Sequence, residues 1–205
     1  MRVAILSESS ADEAGLRVIV DALLGFKSVP VDTNLRSRGW NAVLNVLPAT
    51  AKKLHYLSDT DALVVVVDSN HTYLSGDQPK NRLRDFQALV ESCRNQLSPV
   101  RGRVPLKIAV GVAAPAIEAW WLCRTHPQIS EAAWESGLEE RRDPYSKLDL
   151  KKWLYGAENS ALEHMKRKMV EAAQGHQNDL AVLERAFPHG FGCLAREIRG
   201  WRRLG

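Results

Sequence analysis

The six residues Ala62-Leu63-Val64-Val65-Val66-Val67 limit most tightly what this chain folds into. The run is β-branched and continuous, and it stops abruptly at Asp68-Ser69-Asn70-His71. A strand with one wet face alternates apolar and polar residues. A strand without alternation is covered on both faces, as strands inside a parallel sheet are. Six residues are too few to cross a bilayer. Other segments repeat the theme. Val3 to Ser7, Val29 to Val31 and Leu106 to Val112 read as further strands. Between them apolar residues recur at helical spacing. Leu16, Ile19, Val20, Leu23 and Leu24 form one stripe, entered near Ala11 through the Ser10/Glu13 capping-box spacing and ended by Gly25. Trp40, Val43, Leu44 and Leu47 form another, interrupted at Pro48 and resumed at Leu54 and Leu57. Leu83, Phe86, Val90, Cys93 and Leu97 form a third, after Pro79. The order β-α-β-α-β-α-β predicts an open parallel sheet with helices on both faces.

After about Pro127 the strands stop, and segments near 145–155, 158–173, 177–187 and 191–203 read as helices. The expected organisation is an α/β core over residues 1–126 and a helical lobe over 127–205, packed as one unit. With 205 residues and 45% hydrophobic content, the chain buries a core without staples. Cys93, Cys123 and Cys193 make neither a disulfide frame nor a zinc knuckle. Met1-Arg2 leads into too short an apolar run for a secretory signal, so a reducing cytoplasm and no membrane are expected. No Walker A sequence and no GxSxG elbow occur, which excludes P-loop ATP hydrolysis and the serine chemistry of that elbow.

In open parallel sheets ligands bind beyond the carboxyl ends of strands. Glu8, Asp68 and Glu118 fall at or just past three such ends, and Asp12 lies one helical turn beyond Glu8. Singly, each is an ordinary cap, turn residue or solvated acid. Together they repel one another unless a cation sits among them. Hard oxygen donors suit Mg²⁺ or Mn²⁺.

These residues carry a resemblance. Ile5-Leu6-Ser7-Glu8-Ser9-Ser10-Ala11-Asp12-Glu13 resembles the first TOPRIM motif, a glutamate after strand one with a second acid four residues on in OLD-type nucleases. Val64 to Asp68-Ser69-Asn70 resembles the second, a hydrophobic strand ending in Asp-x-Asp. Ala113-Ala114-Pro115-Ala116-Ile117-Glu118-Ala119-Trp120-Trp121 resembles the Glu-Ala-Trp segment of a TOPRIM-like family related to those nucleases. Lys147 to Lys152 and the helix from Phe191 to Arg199 sit where that family has a lysine-bearing segment and a terminal helix.

The resemblance implies a TOPRIM/Rossmann-like fold and Mg²⁺- or Mn²⁺-dependent cleavage of nucleic-acid phosphodiesters. It implies catalytic roles for Glu8, Asp68 and Lys147, and metal ligation by Glu8, Asp12, Asp68, Asn70 and Glu118. The implied setting is bacterial antiviral defence or a mobile element, acting on DNA rather than RNA, with a separate ATPase subunit and homo-oligomers left open. Two positions depart from the pattern: Ser9 stands where glycine is usual, and Asn70 where a second aspartate is usual. Convergence of all four acids leaves charge for two divalent ions; convergence of Glu8 and Asp68 alone leaves one weakly held ion or none.

The chain carries a net charge of +4. Arg196, Arg199, Arg202 and Arg203 lie on one side of the last expected helix, opposite Leu194, Ile198 and Trp201. Such a stripe neutralises backbone phosphates, or is simply a solvated helix face. Two other readings stay open: a weakly catalytic module binding nucleic acid or a partner, and a small-molecule phosphotransfer enzyme.

Overall fold

The structure is a computed structural model that describes residues 1–33, 39–75 and 81–201. Strands β1 (Arg2–Leu6), β2 (Val29–Val31), β3 (Ala62–Asp68) and β4 (Lys107–Ala113) form one all-parallel sheet in the order β2-β1-β3-β4. The expected parallel α/β architecture is therefore present. The β3 run that predicted it pairs with β1 (Ile5 with Val64, Leu6 with Val65) and with β4 along its whole length, Asp68 opposite Ala113. From Ala62 to Val67 it is sealed.

The helices are α1 (Ser10–Leu24), α2 (Gly39–Leu57), α3 (Arg82–Gln96), α4 (Ile117–Leu122), α5 (Glu131–Glu139), α6 (Lys147–Tyr155), α7 (Leu162–His176), α8 (Ala181–Ala186) and α9 (Gly190–Gly200). The chain moves one way across the sheet from β1 to β2, then back past β1 to β3 and on to β4. Right-handed crossovers therefore put α1 on one face and α2 and α3 on the other. The packing agrees: α2 lies on β3 and α3 on β4, while α1 packs on β1 and α9 on β4, with α7 against the outside of α1.

Three local readings differ from the sequence expectation. Ser9, not Ser10, caps α1: its side chain accepts from the Asp12 N–H. Pro48 does not interrupt α2, which runs continuously through it. An internal proline costs about 3 kcal/mol. Val43, Leu47, Ala51 and Leu54 are all buried along that helix, and each large one contributes roughly 1.5–3 kcal/mol. The apolar stripe outweighs the local break. Helix α5 was not expected, because of its buried residues Glu131, Trp134 and Gly137 only Trp134 has a large apolar side chain; its signal was the cap, Ser130 accepting from the Ala133 N–H. Among the described residues, no helix is long and apolar enough to cross a membrane.

Helix α9 reaches the sheet through glycines. A side chain on Gly190 would begin 2.1 Å from the Val112 carbonyl oxygen, and one on Gly111 3.1 Å from Leu194 and Trp120. Gly190→Ala therefore pushes α9 off β4. Urea denaturation should show about 1–3 kcal/mol of lost stability; a wild-type midpoint would mean that α9 slides without cost.

Candidate functional site

The sheet order places β1 and β3 side by side while their chains leave in opposite directions. That is a topological switch point, where open α/β sheets hold ligands. Glu8 follows β1 and Asp68 ends β3, so both stand at the mouth of that crevice.

Asp68 is fixed at four atoms. Its backbone N–H donates to Glu8 Oε1 at 3.0 Å. Its carbonyl oxygen accepts from Arg82 Nη1 at 2.7 Å. Its carboxylate Oδ1 accepts from the Ile117 N–H at 3.0 Å, and Oδ2 pairs with Lys147 Nζ at 2.7 Å. Each partner is delivered by a helix start. Asn81 caps α3 by accepting from the Arg84 N–H at 3.0 Å, which makes Arg82 the first helical residue. The Arg82 guanidinium also lies 4.5 Å above the ring of Trp40, at the head of α2, an arrangement favourable by cation–π attraction. Ser146 caps α6 in a capping box: its Oγ accepts from the Asp149 N–H, and Asp149 Oδ2 accepts from the Ser146 N–H, both at 3.1 Å. Lys147 is thereby the first residue of α6.

Behind Asp68 lies a second, deeper group. Glu118 is buried in α4 and accepts at Oε1 from the Tyr155 hydroxyl at 3.1 Å. Asp12, in the first turn of α1, feels the charges of Asp68, Glu118 and Glu8. Burial, then the Asp68 charge, raises the Glu8 carboxyl above its ordinary range; burial lifts Asp12 well above it and raises Glu118, the Asp68 charge adding to both. Helix α6 spans the two groups, with Lys147 on Asp68 at its start and Tyr155 on Glu118 at its end.

Glu8 thus meets Asp68 at its backbone N–H and Lys147 meets it at its carboxylate, and Asp12 and Glu118 join them through the electrostatic field. Among the described residues, no three or more His, Cys, Asp or Glu side chains close in tightly enough to hold a metal ion by themselves. Hard carboxylates at the crevice fit Mg²⁺ in its usual mode, one or two protein oxygens with the rest water and substrate. They do not fit a preformed all-protein cage. Asn70 takes a left-handed conformation (φ 53°) that asparagine tolerates, and its N–H donates to the Pro115 carbonyl at 3.0 Å. Ser9 in place of glycine is explained by its capping bond to Asp12.

The arginine stripe lies elsewhere. Helix α9 starts against Val112 and ends where Trp201 accepts from Lys107, so its basic end is at the opposite end of β4 from Asp68, about 20 Å along a seven-residue strand. Arg199 holds both oxygens of Glu184, and Arg196 donates to Cys193 Sγ. Arg202 and Arg203 lie outside the described residues. Sequence reading missed the roles of Arg82, Trp40 and Tyr155. Asn81 before Arg82 was the available clue, since a cap fixes the position of the residue next to it.

Fold and site together define an open parallel α/β protein with a mixed-charge crevice at its switch point. The chain matches no protein-family profile, no curated protein and no solved structure.

Raised carboxyls bind protons more tightly folded than unfolded. Their contribution is full below the ordinary carboxylate range and is lost as pH climbs through the raised values. Glu13, pushed up to about 7 first by burial and further by Asp32, sets part of that window. Stability should therefore fall as pH rises from the ordinary carboxylate range through about 7. Asp12→Asn, which mimics the protonated form, should flatten that slope and add about 1–3 kcal/mol at the alkaline end. Urea denaturation across this range checks it; an unchanged slope would remove Asp12 from the coupled group.

Proposed function

We propose that the chain is a Mg²⁺- or Mn²⁺-dependent hydrolase of nucleic-acid phosphodiesters, acting on DNA. The observation that carries the reading is the contact of Glu8 with Asp68 at the switch point, flanked by the cations Lys147 and Arg82. A divalent ion bound at these carboxylates would polarise the phosphoryl oxygen and offset its developing charge. The side chains have distinct tasks. Asp68 supplies a hard oxygen whose direction is set by the Ile117 N–H. Glu8, held above its ordinary proton affinity, takes a proton from the attacking water at its carboxylate. Lys147 and Arg82 bring positive charge to the phosphate. The resemblance supplies the setting, a defence system with a separate ATPase.

A second reading has its own observation. Lys147 already neutralises Asp68 at 2.7 Å, which lowers the pull on a metal ion and suits a module that binds without cutting.

Purified protein incubated with plasmid and Mn²⁺ should nick it. Asp68→Ala and Glu8→Gln should each slow nicking at least about 100-fold. Undiminished nicking by either variant overturns the assignment, and binding in EDTA with no nicking under any metal selects the second reading. Asp149→Ala tests how Lys147 is positioned. It breaks a cap worth about 1 kcal/mol, and nicking should drop several-fold while helix content by circular dichroism holds. A wild-type rate would uncouple the cap from the site.

A further inference from the structure

Helix α6 does more than deliver Lys147. Trp153, near its far end, is 44% exposed. The His126 ring stacks on it, with centroids 5.0 Å apart and planes 15° from parallel. Thr125 Oγ1 in turn hydrogen-bonds His126 Nδ1 at 3.0 Å. An exposed tryptophan ordinarily samples several rotamers. Here a pinned imidazole backs one face of the indole and holds it, while much of the ring stays open to solvent.

Helix α6 is basic. Lys147, Lys151 and Lys152 share α6 with Asp149 as its one acid, and Lys152 is paired with Glu158 at 2.7 Å. Arg124, also exposed, precedes Thr125. Trp153 lies six residues from Lys147, about 9 Å along the helix axis and about 120° around it. A flexible strand whose phosphate sits at Lys147 reaches the ring by passing partway round the helix.

We propose that the Trp153–His126 pair is a stacking platform for an unpaired nucleobase, so that the crevice takes single-stranded or locally opened nucleic acid. The proposal rests on the nucleic-acid reading above and specifies its substrate class. A duplex keeps its bases stacked inside, out of reach of a surface indole; an unpaired base offers a π face to any aromatic ring, whatever its sequence. Lys152, next to Trp153 in sequence, and Arg124, two residues before His126, carry charge of the sign that the phosphates of such a strand need. Pre-stacking by His126 lowers the ordering cost of binding.

The test is fluorescence anisotropy of a fluorescein-labelled oligothymidylate, in EDTA so that binding is separated from hydrolysis. Base–aromatic stacking is worth about 1–3 kcal/mol, so Trp153→Ala should weaken oligothymidylate binding about 5- to 150-fold. Trp153→Phe should recover most of it, and binding of a duplex of equal length should be unchanged by either substitution. Trp153 is exposed, and circular dichroism confirms that the variants fold.

Wild-type affinity in Trp153→Ala overturns the platform, as does an equal loss for duplex and single strand. Concentration-dependent dimerisation that vanishes in Trp153→Ala, with oligothymidylate binding intact, assigns the ring to a second copy of the chain and overturns it too. The two readings fail separately. If the protein binds oligothymidylate through Trp153 but hydrolyses nothing, the platform stands and the hydrolase falls. If Asp68-dependent nicking is found and Trp153→Ala binds normally, the reverse holds.

Discussion

The site depends on the way Asp68 is held. Its N–H, its carbonyl and both carboxylate oxygens are engaged by Glu8, Arg82, Ile117 and Lys147, which come from four separate stretches of chain. An aspartate at the end of a buried strand is costly unless it is paired and hydrogen-bonded. Here the pairing is also what assembles the crevice. Removing the lysine would leave the Asp68 carboxylate unbalanced beside Glu8, Asp12 and Glu118, whose carboxyls its charge already raises. The cation that balances Asp68 is thus part of the scaffold and part of the chemistry.

The deeper acids show how burial and charge divide the labour. Asp12 and Glu118 are both driven toward their neutral forms by loss of water before any neighbour acts. Glu118 keeps one strong donor, the Tyr155 hydroxyl, whose own acidity is suppressed by the same surroundings. Asp12 and Glu118 are thus biased toward the protonated form. They fit less well as first ligands of an ion than Glu8 and Asp68, which face the crevice mouth. In the sequence Glu8, Asp68 and Glu118 stand alike at strand ends, with Asp12 a helical turn beyond Glu8; depth in the fold is what separates them.

Much of the frame was legible from the chain. The unbroken Ala62 to Val67 run specified a strand covered on both faces, and the spacing of Leu16, Ile19, Val20 and Leu23 specified α1. Both signals are strong because they follow burial, which is continuous where both faces of a strand are covered and periodic where one face of a helix is. Pro48 misled because propensity is local, whereas the buried stripe of α2 is a tertiary fact. Helix α5 was invisible because its buried face, Glu131, Trp134 and Gly137, carries one large apolar side chain. Glu8, Asp68 and Lys147 were legible as types at strand ends or by resemblance, but the Lys147–Asp68 pair joins residues 79 apart and no spacing rule reaches that far. Arg82 stayed hidden, because nothing in its neighbours says that its guanidinium folds back toward the Asp68 carbonyl.

Parallel topology explains why capping residues recur around the crevice. Every helix that comes after a strand begins at the carboxyl edge of the sheet, so the starts of α1, α2, α3 and α4 gather there, and α6 joins them from the later part of the chain. Ser9 sets Asp12, Asn81 sets Arg82, and Ser146 sets Lys147, each one to three residues past its cap. Helix starts present unsatisfied N–H groups and a positive dipole end, which favour carboxylates and phosphates alike. The same feature that lets buried acids persist at this edge therefore also draws a polyanion toward it. A substrate phosphate entering the crevice competes with Asp68 for Lys147 and for the field of the helix ends. The balance between these two anions is set by how firmly the caps hold the helices in place.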